Sequence, residues 1–207
     1  MRVAWIRKSE GADAVVVIFG GWAVGPQVWL TLQSAADLLF VSDYRSLDAA
    51  LPELGHYTRR SLIAWSFGVA NYAQWQVGRR DVFQHKVALC GSMTPVDRLA
   101  GIAPERVKLT ADRLSQASFA SFLTRCFGAE QPPQPIDIAA RRAELLAIAA
   151  RDYTARVIWD RVWIARQDQI FPLANLQRAW AGNTALRLID APHAPFAQWA
   201  RLDQVLA

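Results

Sequence analysis

The sequence predicts an α/β protein: a mostly parallel, doubly wound sheet of about seven strands with a helical cap insertion. Three observations predict it. Short apolar runs recur along the whole chain, with helical or turn-like segments between them. Most of these runs are continuous rather than alternating, as expected for strands covered on both faces. One interval near the middle, of about 70 residues, is far longer than an ordinary crossover between neighbouring strands.

The elements follow in order. "RVAWI" (2–6) and "AVVVIF" (14–19) flank the polar, Gly-containing "RKSEGAD", and this spacing predicts an antiparallel hairpin. A helix is expected over 27–36, then a strand at "LLFVS" (38–42). The strand "SLIAW" (61–65) leads into a helix over 67–78, and "KVALC" (86–90) follows as the next strand. Beyond the long interval come "RVWIA" (161–165), a helix over 173–181, "ALRLI" (185–189) and a closing helix over 195–206. Alternation of this kind gives parallel strands joined by right-handed crossovers.

The long interval contains "PERVKLTADRLSQASFASFLTRCFG", whose Leu114, Phe119, Phe122, Leu123, Cys126 and Phe127 suit one helical face. "AEQPPQPID" then stops helix, because its closely spaced prolines cannot continue one. "IAARRAELLAIAARDY" resumes it. The expectation is one domain over 1–207, with residues 94–156 forming a helical cap inserted into the sheet.

Composition narrows the function classes. Of the 207 residues, 53% are hydrophobic and 20% charged, an ordinary balance for a folded soluble domain. The net charge of +5 is spread evenly along the chain rather than gathered into a stripe, which argues against a nucleic-acid footprint. Cys90 and Cys126 have no metal-ligand spacing, and two thiols in a chain of this length suggest a reducing compartment. The amino-terminal "MRVAWIRKSEG" turns charged before a signal-like apolar region develops, and no run has the length of a membrane span. A cytoplasmic protein is expected. Nothing in the sequence fixes its oligomeric state.

The chemistry centres on Ala64-Trp65-Ser66-Phe67-Gly68, one residue away from Gly-x-Ser-x-Gly. The serine stands where a buried strand becomes a helix, the setting of a nucleophile elbow. Side chains two positions before and after it must be tiny; Gly68 satisfies this, and Ala64 adds one methyl. A serine hydroxyl needs a base within hydrogen-bond reach. Of the three histidines, His56 and His85 lie in connections entering strands, whereas His193 in "IDAPHAPF" follows the last strand at its carboxyl end. Asp168, in "ARQDQIFP" just past another strand, can orient that imidazole and stabilise its charged form. Asp43 is the runner-up acid by position, with an ion pair to Arg45 as its plainer role, and Asp190 lies too early in its loop. The order Ser66, Asp168, His193 is that of the α/β-hydrolases. An oxyanion hole would come from the backbone N–H of Phe67 and of Trp22, the latter after Gly20-Gly21 at the end of an early strand. This chemistry requires neither a cofactor nor a metal.

"IFGGWAVGPQVW", "SDYRSLD", "IAWSFGVA", "ALCGSMTPVDRLAGIAPE", "RQDQIFP" and "DAPHAPFAQW" together resemble the pimeloyl-[acyl-carrier protein] methyl ester esterases of the BioG type. The resemblance runs in collinear order over nearly the whole chain and is least marked over 110–155. It implies hydrolysis of the methyl ester of pimeloyl-acyl carrier protein methyl ester, releasing the pimeloyl-carrier protein and methanol for biotin synthesis. It assigns the catalytic roles to Ser66, Asp168 and His193, and the oxyanion donors to Trp22 and Phe67. It also implies that cap arginines receive the acidic carrier protein, with Arg141, Arg142, Arg151 and Arg156 as candidates. Two other readings fit the same residues: a thioesterase or acyltransferase on carrier-bound chains, or a non-catalytic binding protein on a hydrolase scaffold.

Overall fold

Each apolar run becomes a strand of one seven-stranded sheet, described by a computed structural model that covers residues 1–207. The strands are β1 (Arg2–Arg7), β2 (Ala14–Phe19), β3 (Asp37–Ser42), β4 (Arg59–Trp65), β5 (His85–Leu89), β6 (Arg161–Ala165) and β7 (Leu186–Ile189). Their spatial order is β1-β3-β2-β4-β5-β6-β7, and every neighbouring pair is parallel except β1 with β3.

The expected hairpin between β1 and β2 does not form, because β3 lies between them and pairs antiparallel with β1, from Arg2↔Ser42 to Arg7↔Leu38. Burial explains the difference. The run "VVVIF" in β2 is buried throughout, so β2 needs a neighbour on each edge, and β3 and β4 supply them. "RVAWIR" is only partly covered, carries arginine at both ends and has a register irregularity between Trp5 and Arg7. Those are properties of an edge strand.

Alternation along the strands divides the core into two layers. One face carries Val15, Val17, Phe19, Leu62, Ala64 and Ile164; the other carries Val16, Ile18, Ile63, Trp65, Val87 and Leu89. Against the first face lie α2 (Phe67–Gln76) and α6 (Leu173–Ala179), while α3 (Pro104–Asp112) and α5 (Ile138–Ala150), from the β5–β6 connection, pack on each other and join the same apolar cluster. Against the second lie α4 (Gln116–Phe127), also from that connection, and the short α1 (Gln27–Leu30) and α7 (Leu202–Leu206).

Two helices are shorter than the sequence suggests, and for one shared reason. Instead of continuing over 27–36, the chain leaves α1 after one turn; instead of running over 195–206, it makes a 3₁₀ turn at Pro195–Gln198 and restarts at Leu202. Between these breaks the two segments bond to each other: Gln33 N–H donates to Ala200 C=O and Leu202 N–H donates to Gln33 C=O, both at 3.0 Å. A tertiary bridge has replaced two stretches of helix, and Ser34 adds a local bond to the Ala36 N–H. No helix is long and apolar enough to cross a membrane.

Candidate active site

Parallel strands leave the sheet at a common end, and the candidate residues sit in the turns there. At the end of β4 the chain reverses within one residue: Ser66 has φ 60° and ψ −127°, a conformation that L-residues rarely adopt. Its N–H donates to Leu89 C=O at 2.8 Å, tying the turn to β5. Such a turn leaves no room around it. A Cβ on Gly68 would lie 2.1 Å from the Phe19 carbonyl oxygen, and one on Gly91 would lie 2.2 Å from that of Ser66. Ala64 points its methyl into the first apolar layer and is fully buried there, so glycine is not required at that position.

His193 and Asp168 reach the same point from the ends of β7 and β6. His193 Nε2 lies 2.9 Å from Ser66 Oγ, and His193 Nδ1 lies 2.7 Å from Asp168 Oδ2. A carboxylate only accepts, so the Nδ1 facing it carries the proton and Nε2 accepts from the serine hydroxyl. The other Asp168 oxygen accepts the N–H groups of Ile170 and Phe171 at 2.8 and 2.9 Å. The carboxylate is thus fixed on both sides, and the His193 and Asp168 side chains are 1% and 0% exposed. The imidazole stacks on Phe171 at an interplanar angle of 11°. Its backbone is anchored by Trp65 Nε1 donating to His193 C=O at 3.0 Å and by Ala194 N–H donating to Cys126 C=O at 2.8 Å.

The remaining candidates separate clearly. Asp43 forms a two-pronged pair with Arg45, which holds its carboxyl below the usual carboxylate range. Asp190 accepts from Gln167, and His85 contacts the carbonyl of Leu206 on the far side of the sheet. Cys90 and Cys126 are free and buried, and burial pushes both thiols well above their ordinary range.

Trp22 and Phe67 flank the serine. Phe67 opens α2, where the first N–H groups of a helix have no partner within it. The Trp22 N–H bonds to no acceptor in the protein. Both side chains also wall a narrow apolar slot, completed by Ile102, Val107, Phe122, Leu145 and Ile170. A larger cleft of about 570 Å³ runs along β1, and neither it nor the slot is lined by Ser66, Asp168 or His193 themselves. The slot includes Phe67, the neighbour of Ser66, and Gln169 and Ile170, which follow Asp168.

Residues 1–205 match the family model described as pimeloyl-ACP methyl esterase BioG. The chain belongs to the BioG family. Its structure superposes on that of BioG from Haemophilus influenzae with a TM-score of 0.88 at 24% identity, covering 100% of both chains. An esterase from Thermogutta terrifontis shares the α/β-hydrolase fold, with a TM-score of 0.65 at 14% identity over 99% of this chain and 94% of that one. A malonyl-[acyl-carrier protein] O-methyltransferase from Bacteroides fragilis is 29% identical over 177 residues, 80% of this chain. This BioG-family chain spans only 36% of the length of that relative.

The four arginines named from the sequence do not gather at the slot. Arg141 pairs with Glu144 at 2.6 Å, and Arg142 lies 3.5 Å from Asp112. Arg151 is turned inward, donating to Asn71 Oδ1 at 2.5 Å and to Tyr44 C=O at 2.7 Å. Arg156 donates to the carbonyls of its own turn. At the slot mouth stand Arg106 and Arg125 instead, with Arg113 in the adjoining groove. None of these three enters an ion pair. A signal for part of the cluster was present: Arg106, Thr110 and Arg113 are spaced along one face of a helix.

Proposed function

We propose that this chain is a serine carboxylesterase that hydrolyses the methyl ester of pimeloyl-acyl carrier protein methyl ester, releasing methanol and the pimeloyl-carrier protein. The observation that carries the reading is the unbroken hydrogen-bond chain from Asp168 through His193 to Ser66, at a strained turn in a chain of the BioG family.

The geometry supports an acyl-enzyme route. His193 Nε2 takes the Ser66 proton as Oγ attacks the ester carbonyl, and Asp168 stabilises the imidazolium without itself being protonated. The tetrahedral oxygen is received by the Trp22 and Phe67 N–H groups, backbone donors aimed at the charge that develops there. His193 then gives its proton to the departing methoxide, and methanol leaves. Water, deprotonated by the same imidazole, cleaves the acyl-enzyme and restores Ser66.

Recognition of the rest of the substrate follows from the slot. Its apolar walls suit a methylene chain, and residues 94–156 act as the cap that forms most of them. Arg106, Arg113 and Arg125 extend the slot outward with unpaired positive charge, complementary to a phosphorylated linker and an acidic carrier. In this reading they receive the carrier in place of Arg141, Arg142, Arg151 and Arg156, the candidates that the resemblance implied.

The test is growth without biotin of a strain lacking its own pimeloyl-ester esterase. Wild type restores growth and Ser66→Ala does not; restoration by Ser66→Ala, or by neither, contradicts the proposal.

A further inference from the structure

Gly20 and Gly21 precede the proposed oxyanion donor, and packing demands both. A Cβ on Gly20 would stand 2.5 Å from the Phe40 ring, and one on Gly21 would stand 2.9 Å from the Trp65 ring and 3.3 Å from Ser66 Cβ. Yet two consecutive glycines are the least self-restrained pair a backbone can contain. A donor useful in a transition state must be held before the reaction begins. Something outside the turn has to supply that restraint.

Gly20 N–H donates to Val41 C=O at 2.9 Å, which ties the start of the turn to β3, and two side-chain hydrogen bonds bracket the rest. On the amino-terminal side, the Tyr44 hydroxyl donates to Gly20 C=O at 2.7 Å. On the carboxyl-terminal side, Trp22 Nε1 donates to Arg141 C=O at 2.9 Å. Both lead to α5. Arg141 lies in its second turn. Tyr44 is gripped at both of its backbone groups: Glu144 Oε1 accepts its N–H at 2.9 Å, and Arg151, the C-cap of α5, donates to its carbonyl.

Glu144 is an unusual residue for this purpose. It is 1% exposed, and burial raises its carboxyl above the ordinary value of 4.5 even with Arg141 beside it. A buried ion pair contributes little to stability compared with an apolar contact of the same size. Leu145 and Ile148 already seat α5 in the core. What the carboxylate adds is a directed bond to one backbone N–H.

We propose that Tyr44 and Glu144 are positioning residues for the ester reaction, through which α5 holds the Gly20-Gly21-Trp22 turn with its Trp22 N–H aimed at the developing oxyanion. The inference rests on the esterase reading above. Seating of the helical insertion and readiness of the oxyanion hole are then one event.

The experiment measures hydrolysis of p-nitrophenyl butyrate and inhibition by a trifluoromethyl ketone, which forms a tetrahedral adduct with serine. Tyr44→Phe removes a single oxygen; it lowers kcat about tenfold or more at nearly constant KM, and weakens the inhibitor by the same factor. Glu144→Ala behaves like Tyr44→Phe, whereas Glu144→Gln, which keeps an acceptor for the Tyr44 N–H, stays within about threefold of wild type. Rates are normalised to folded protein from thermal unfolding, so a loss that merely follows the folded fraction overturns the inference. So does a Tyr44→Phe enzyme with wild-type kcat and inhibitor affinity. Ser66→Ala in the same assay separates the two readings. If it turns over like wild type, the esterase reading fails; if it is inactive while Tyr44→Phe and Glu144→Ala match wild type, only the positioning role fails.

Discussion

At the strand ends the candidate site is shaped mainly by backbone; across the β5–β6 insertion it is shaped by side chains. Ser66 owes its position to a φ of 60° and to the missing side chains of Gly68 and Gly91. Asp168 is fixed by two backbone N–H groups of its own loop. The slot, by contrast, depends on which faces of α3, α4 and α5 turn inward, and its charged mouth on Arg106 and Arg125, which have no ion-pair partners. Chemistry common to many hydrolases is built from steric rules that tolerate almost no substitution. Selectivity is built from surfaces of the insertion, which meet that chemistry at the contacts of α5 with Tyr44 and Trp22.

The largest effect tests the first region. Ser66→Ala or His193→Ala should lower kcat/KM by roughly three to six orders of magnitude, on a p-nitrophenyl ester and on a carrier-bound ester alike, read by steady-state rates. A substrate-dependent loss would blur the division between the two regions. An intermediate effect sharpens it. The double variant Arg106→Glu/Arg125→Glu should raise KM for the carrier-bound methyl ester about tenfold or more, with the difference shrinking as salt is added. Its rate on a small p-nitrophenyl ester should match wild type, since no carrier is involved.

The smallest effect lies where the two regions meet. Burial holds the folded-state pKa of Glu144 above 4.5, so the folded chain binds more protons than the unfolded chain as pH rises past that value. Stability contributed by this group is therefore fully present below 4.5 and is lost as pH rises through the raised folded value. Glu144→Gln has no such titration. Unfolding midpoints measured from acid to neutral pH should show wild type losing ground to Glu144→Gln, and a constant gap would contradict this.

The same division explains what the sequence disclosed. That Ser66, Asp168 and His193 meet was legible because each lies within four residues of the carboxyl end of an apolar run, and parallel strands bring such positions together whatever lies between. The β1–β2 hairpin was misread because a polar loop with glycine looks the same whether it returns to its neighbour or steps over β3. Helices over 27–36 and 195–206 were overstated because Gln33 bonds to Ala200 and Leu202, a pairing over a separation that no local pattern records. The resemblance points to cap arginines without saying which way each one faces. Arg151 proves to be bonded inward to Asn71 and Tyr44, while Arg106 and Arg125 reach the slot mouth. Helix facing is decided by packing, and one sequence reports it only where the apolar stripe is strong.

The central claim is that Ser66 cleaves an oxygen ester at the far end of a carrier-bound acyl chain. Intact-protein mass spectrometry of pimeloyl-acyl carrier protein methyl ester after incubation with enzyme tests it directly. The account predicts that the carrier loses the mass of one methylene with wild type and is unchanged with Ser66→Ala. Loss of the whole acyl chain would make the enzyme a thioesterase, and an unaltered carrier with wild type would contradict the account outright.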